Sequence, residues 1–104
     1  MIGDDGFDAR WLGKSIPQRH WHFHRRLLER YNIVLAPGEF SEMLKDIASG
    51  KAPLVQRRSA KSAIYLVRNR RLWERVFILV TNGEIRTALP PSKALRRARR
   101  ALPD

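Results

Sequence analysis

The sequence contains no cysteine. That excludes a disulfide framework, a thiolate nucleophile and any thiolate-bound zinc. It also lacks long hydrophobic runs, so no segment is expected to span a bilayer. The segment from Met1 to Phe7 is acidic and contains glycine, which is the wrong character for a secretory signal. A cytoplasmic location is the resulting expectation. Acidic residues are the other scarcity: Asp plus Glu number 10 against 21 Lys plus Arg, a formal net charge of +11. Such an excess favours a polyanion as partner, and RNA or another nucleic acid above a membrane surface.

The charge is unevenly placed. Residues 1–50 carry seven basic and seven acidic side chains and are neutral overall. Residues 51–104 carry fourteen basic side chains against Glu74, Glu84 and Asp104, so the whole excess of +11 lies there. With 104 residues, 43% of them hydrophobic, the chain suffices for one domain with a modest core.

Periodicity gives the elements. Residues 1–14 show no period and read as a flexible arm. Ser15-Ile16-Pro17 reads as a helix start, with Ser15 as cap and proline in the first turn, and the helix runs to about Tyr31. Trp21, Phe23, Leu27, Leu28 and Tyr31 share its apolar face, with His20 and His24 in the middle. Pro37-Gly38 opens a second helix, whose apolar Phe40, Met43, Leu44 and Ile47 recur at helical spacing before Gly50 stops it. Together the two read as a helical hairpin.

The period then shortens. Leu54–Gln56 reads as a short edge strand, Ala63–Arg68 and Trp73–Thr81 as strands, and Glu84–Leu89 as a return strand after the Asn82-Gly83 turn. A two-residue turn pairs Val80 with Ile85, Ile78 with Thr87 and Val76 with Leu89 on one face, which is expected to receive the helices. The opposite face, with Phe77, Leu79, Arg75 and Arg86, is expected to meet solvent or ligand. Ser92 to Leu102 has the spacing of a basic terminal helix. The expected fold is α+β: an N-terminal helical hairpin on one face of a three- or four-stranded antiparallel sheet, with a basic C-terminal helix. The expected division is an arm (1–14), an α+β unit (15–91) and a basic tail (92–104).

Two constellations carry chemistry. The first holds all three histidines, in His20-Trp21-His22-Phe23-His24. His20 and His24 lie one helical turn apart, but carboxylate or cysteine ligands that would complete a zinc site are missing nearby, so no metal and no cofactor is expected. His22, Arg26 and Arg30 form a separate stripe at i, i+4 and i+8. Such a stripe aligns an acid–base group with two phosphate-binding groups. RNA is cut without metal when a base takes the proton of its 2′-hydroxyl and cations stabilise the phosphorane. The competing reading is a solvated helix edge with Glu29 pairing the arginines.

The second constellation is the basic half. Arg57, Arg58, Lys61, Arg68, Arg70 and Arg71 cluster around the first strands. Arg75 and Arg86 decorate the sheet, and Lys93, Arg96, Arg97, Arg99 and Arg100 crowd the terminal helix. Tyr65, Trp73 and Phe77 lie among them. Arginine interleaved with aromatics suits single-stranded RNA, where exposed bases stack.

The stripe His22, Arg26, Arg30, Tyr31, then the proline-started second helix, then the strand Gly83-Glu84-Ile85-Arg86-Thr87-Ala88-Leu89-Pro90 together resemble the barnase–EndoU–colicin–RelE group of metal-free endoribonucleases. Many members of that group are toxins. The likeness covers roughly residues 20–91. It implies an RNA-cutting domain in which His22 is the acid–base residue, Arg26 and Arg30 hold phosphate, and Thr87 contacts substrate. It also implies an acidic antitoxin or immunity protein as a second partner. Asn32 stands where the group more usually has glycine, and with His20 and His24 flanking His22 the catalytic histidine stays open among the three. The alternatives are a non-catalytic nucleic-acid-binding protein of phage or bacterial origin, or an interaction protein gripping an acidic partner.

Overall fold

The computed structural model describes residues 16–100. The 1–14 arm, the Ser15 cap and Leu102 lie outside the described residues. Among the described residues the fold is α+β, with three α-helices and one four-stranded antiparallel sheet. Helix α1 spans Trp21–Tyr31 and α2 spans Glu39–Ala48. Strands β1 (Leu54–Arg57), β2 (Ser62–Asn69), β3 (Glu74–Thr81) and β4 (Glu84–Leu89) form a meander in the order β1-β2-β3-β4. Helix α3 spans Lys93–Arg100.

The first helix begins later than its cap signal predicts. Pro17 is extended, at ψ 136°, and its carbonyl closes a 3₁₀ turn over Gln18–His20. α1 ends on Asn32 at φ +54°, with its N–H returned to the last carbonyls. Asparagine is the side chain other than glycine best suited to this left-handed geometry, so it performs the stop that glycine usually provides. Gly38, at φ +89°, precedes α2. The Glu39 carboxylate folds back to accept the Ala36 N–H at 2.6 Å, satisfying a donor ahead of the helix.

Expected and observed packing differ in three ways. First, α1 and α2 each rest mainly on the sheet, α1 on β4 and α2 on β2, and meet one another through aromatic rings. Second, the face expected to meet solvent is covered in part. Leu95 of α3 is buried with Val55, Ile64, Leu66 and Phe77, forming a second small core. The mixed arginine–apolar pattern of that face misleads because α3 covers its apolar centre, Phe77 and Leu79, while Arg75 at the β2–β3 end stays exposed. Third, the β3–β4 register slips. Val80 pairs with Ile85, but Leu79 pairs with Thr87, Ile78 with Ala88 and Phe77 with Leu89. Arg86 is therefore an extra residue, a β-bulge that no turn rule places. The bulge lets Ile85 and Ala88, three residues apart, both pack toward α1 and the main core. Strict alternation would have put them on opposite faces.

Side chains of α1 and the loops fasten these layers. The Tyr31 hydroxyl accepts the Phe77 N–H at 3.1 Å and donates to the Leu89 carbonyl at 2.6 Å. Phe77 and Leu89 are register partners, so the hydroxyl bridges the β3–β4 ladder where it ends. Burial pushes the Tyr31 pKa up, against the opposing pull of the Phe77 N–H and of Arg30 and Arg96. The hydroxyl therefore keeps its proton at neutral pH. On the other side, Arg71 grips buried Glu39 with Nε and Nη2 at 2.9 and 3.0 Å and also donates to the Val34 carbonyl at 2.8 Å. Burial alone would raise the Glu39 pKa. The Arg71 hydrogen bonds and charge, with the Ala36 N–H and Asn69, outweigh it and hold the carboxyl below its ordinary value.

Replacing Tyr31 with Phe keeps the ring and removes the bridge. Two half-buried backbone groups then lose their partner. The expected loss is about 1–2 kcal/mol in urea unfolding, and unchanged stability would contradict the bridge.

Candidate nucleic-acid interface

The stripe read from the sequence runs beside β4. His22 Nε2 lies 3.2 Å from Thr87 Oγ1, and Arg30 donates to the Ala88 carbonyl at 2.7 Å. Arg26 instead pairs within the helix, Nη1 to Glu29 at 2.5 Å. Surface pairs of this kind contribute little to stability, but the pair occupies the guanidinium. Of the four residues assigned to the reaction, His22 and Thr87 are thus brought together. Arg26 and Arg30 are engaged by a carboxylate and a backbone carbonyl.

Beside His22 is an open groove of about 430 Å³ lined by Arg19, His22, Ile85, Arg86 and Thr87. Its charge comes from two arginines that the stripe did not include. Arg86 reaches it because it is the bulge residue of β4. Arg19 sits on the 3₁₀ turn, three residues before His22. Extending the stripe one turn toward the N-terminus is the signal that would have found it. The groove combines one imidazole, one hydroxyl and two guanidinium groups. Either the Thr87 hydroxyl donates to Nε2 or the Nε2 proton is donated to Oγ1, according to the ring tautomer. Both arrangements orient the ring and leave it exposed.

The flanking histidines are placed differently. The His20 ring stacks on Phe40, with centroids 3.8 Å apart and planes within 16°. His24 lies nearly parallel to the same Phe40 ring at 6.4 Å, and Phe23 meets Phe40 edge-on at 5.5 Å. Burial, then the neighbouring His20, lowers the His24 pKa to about 4. Burial, then Arg19, lowers that of His20. These two imidazoles join α1 to α2, and neither lines the groove. Among the described residues no group of three His, Asp or Glu side chains converges in a way that would hold a metal ion.

The remaining basic residues divide by use. Arg70 and Arg71 tie the β2–β3 turn to α2 through Asp46 and Glu39. Arg57, Arg58 and Lys61 are exposed at the β1–β2 corner, and Arg96 and Arg97 are exposed on α3. Arg99 and Arg100 belong to the last turn of α3, and their side chains are outside the described residues. Arg68 and Arg75 face one another across β2 and β3. Of the three aromatics expected to stack on bases, two are not available: Phe77 is buried, and Tyr65 is half-buried against the helical core. Trp73 remains, 69% exposed. Its φ of +59° is rare for a bulky side chain and costs about 1–2 kcal/mol.

The His24 environment has a consequence for stability. The unfolded imidazole titrates near 6.5 and the folded one near 4. As pH falls through this window, the unfolded chain takes up a proton that the folded chain refuses. Stability therefore drops between about pH 6.5 and 4 and levels off below. The ring is only half-buried, so the loss is on the order of 1–2 kcal/mol. Urea midpoints across this range should show it, and a His24→Leu variant should flatten the profile. An equal slope in that variant would contradict the assignment.

No protein-family model, curated protein or solved structure matches this chain.

Proposed function

We propose that this protein binds single-stranded RNA in the α1–β4 groove and cuts it without a metal ion. The observation that carries the reading is the position of His22: an exposed imidazole, steadied by Thr87, in a groove whose other polar side chains are Arg19 and Arg86. In the proposed reaction His22 takes the proton of the ribose 2′-hydroxyl. The 2′-oxygen bonds to phosphorus, the bond from phosphorus to the 5′-oxygen breaks, and that oxygen is protonated from the solvent the open groove admits. Arg19 and Arg86 hold the phosphate and offset the charge that develops on its oxygens. The resemblance of the His22 stripe and of the Gly83–Pro90 strand to the barnase–EndoU–colicin–RelE group supports cutting over binding alone. In that reading residues 15–91 are the RNase-like unit, with the helical pair on the sheet, and residues 92–104 are its basic tail. The protein then acts as a toxin-type nuclease in the cytoplasm, held in check by an acidic antitoxin or immunity protein.

A second reading, a nucleic-acid-binding protein without activity, is favoured by one observation. Arg26 and Arg30, the stripe's phosphate ligands, are engaged within the protein.

Total RNA incubated with the purified protein in excess EDTA decides between them. Cleavage is expected, falling by a factor of roughly 10²–10⁴ in His22→Gln, the usual contribution of general acid–base catalysis. The exposed position of His22 should leave the far-ultraviolet circular dichroism and Tm of that variant unchanged. Full activity in His22→Gln would contradict the assignment. Salt-sensitive binding with no cleavage would establish the second reading.

A further inference from the structure

A second basic surface lies on the α3 side of the sheet, where β2 turns into β3. Arg68 and Arg75 are register partners there, so two like charges stand directly opposite. Such pairs are unfavourable by themselves. Among the described residues no carboxylate forms an ion pair with either. The Arg68 guanidinium lies over one face of the Trp73 ring, 4.3 Å from its centroid, and donates to the Trp73 carbonyl at 3.3 Å. The backbone turn that exposes Trp73 is itself strained. These contacts engage Arg68 and one face of the indole, but leave the exposed Arg75 and the other face of Trp73 unexplained by packing among the described residues.

Arg75 also joins two hollows. One, of about 220 Å³, lies toward Lys51 and Pro53, and the other, of about 560 Å³, lies toward Pro91 and Arg96. Leu66 floors both. Two carboxylates touch these hollows, Asp46 and Glu74. Asp46 is held by Arg70, while Glu74 stands at the end of β3 beside Arg75. The surface thus offers an aromatic plate, a pair of cations on directly opposed residues, and one further cation in each hollow, Lys51 and Arg96.

We propose that this patch is a second contact for a single nucleic-acid strand, with a base stacked on the open face of Trp73 and its phosphate between Arg68 and Arg75. The anion removes the repulsion between the two arginines. The stacked base uses the face of the indole that Arg68 leaves open. The patch stands apart from the His22 groove and contains no acid–base group beyond its carboxylates, so its role is to hold the strand. For the nature of its ligand this inference rests on the proposed RNA reading.

The test measures binding rather than cutting. A fluorescein-labelled 2′-O-methyl oligouridylate, which has no 2′-hydroxyl to react, is titrated with protein at several salt concentrations. Trp73→Asn should weaken binding about tenfold, and Trp73→Phe should restore most of it. Asparagine suits the left-handed backbone, so Tm should hold or rise in Trp73→Asn. Arg75→Gln should make the log–log salt slope shallower by about 0.7. Repeating Trp73→Asn in an Arg19→Gln/Arg86→Gln background keeps the two surfaces distinguishable, because the patch effect persists there even if the groove is inert. Unchanged affinity in Trp73→Asn together with an unchanged slope in Arg75→Gln would overturn the proposal and leave Trp73 to a protein partner.

Discussion

The Tyr31 hydroxyl stands between the Phe77 N–H and the Leu89 carbonyl, and the position of α1 follows from it. β4 is an edge strand of six residues, with one ladder neighbour and a bulge in the middle. By itself such a strand is weakly fixed. The helix supplies what the ladder lacks. Tyr31 closes the end of the β3–β4 pairing, Arg30 satisfies the Ala88 carbonyl, and Phe23 and Leu27 bury beneath them. With the C-terminal turn of α1 fixed in this way, its N-terminal turn has one direction to run, and His22 arrives beside Thr87.

The bulge completes the arrangement. Without the extra residue, Arg86 would alternate away from the helix and the groove would have one arginine fewer. With it, Ile85 packs inward while Arg86 and Thr87 both line the groove. The net charge of +11 is thereby put to different uses. Arg30, Arg70 and Arg71 are bound to carbonyls and carboxylates and hold the layers together. Arg19 and Arg86 surround the imidazole, and Arg68 and Arg75 face the opposite side of the sheet. Counting charge predicts a polyanion partner, and only the ion-pair pattern shows which charges are available for one.

Much of the fold was legible because it rests on local rules. Phe40, Met43 and Ile47 at helical spacing gave α2, and Asn82-Gly83 gave the β3–β4 hairpin with Val80 opposite Ile85. The meeting of His22 with Thr87 was anticipated, though through a register that the bulge corrects. What was not legible depends on contacts between distant residues. Spacing offered Arg26 both as a phosphate ligand and as the partner of Glu29, and the structure decides for Glu29, while Arg19 lay one helical turn beyond the stripe. The burial of His24 depends on Phe40, sixteen residues away in sequence. The cover over Phe77 depends on Leu95, in a helix whose sequence is otherwise basic residues and alanine. Tyr65, Trp73 and Phe77 read alike as aromatics among arginines, and tertiary packing alone separates the exposed one from the others.

The account turns on the α1–β4 groove being the place where the strand is held. Amide and arginine side-chain ¹H–¹⁵N resonances, followed during titration with a short 2′-O-methyl RNA, test that most directly. The account predicts that the largest shifts fall on Arg19, His22 and residues 85–87, with a second set at Arg68, Trp73 and Arg75. Saturating RNA that leaves Arg19, His22 and residues 85–87 unmoved would contradict it.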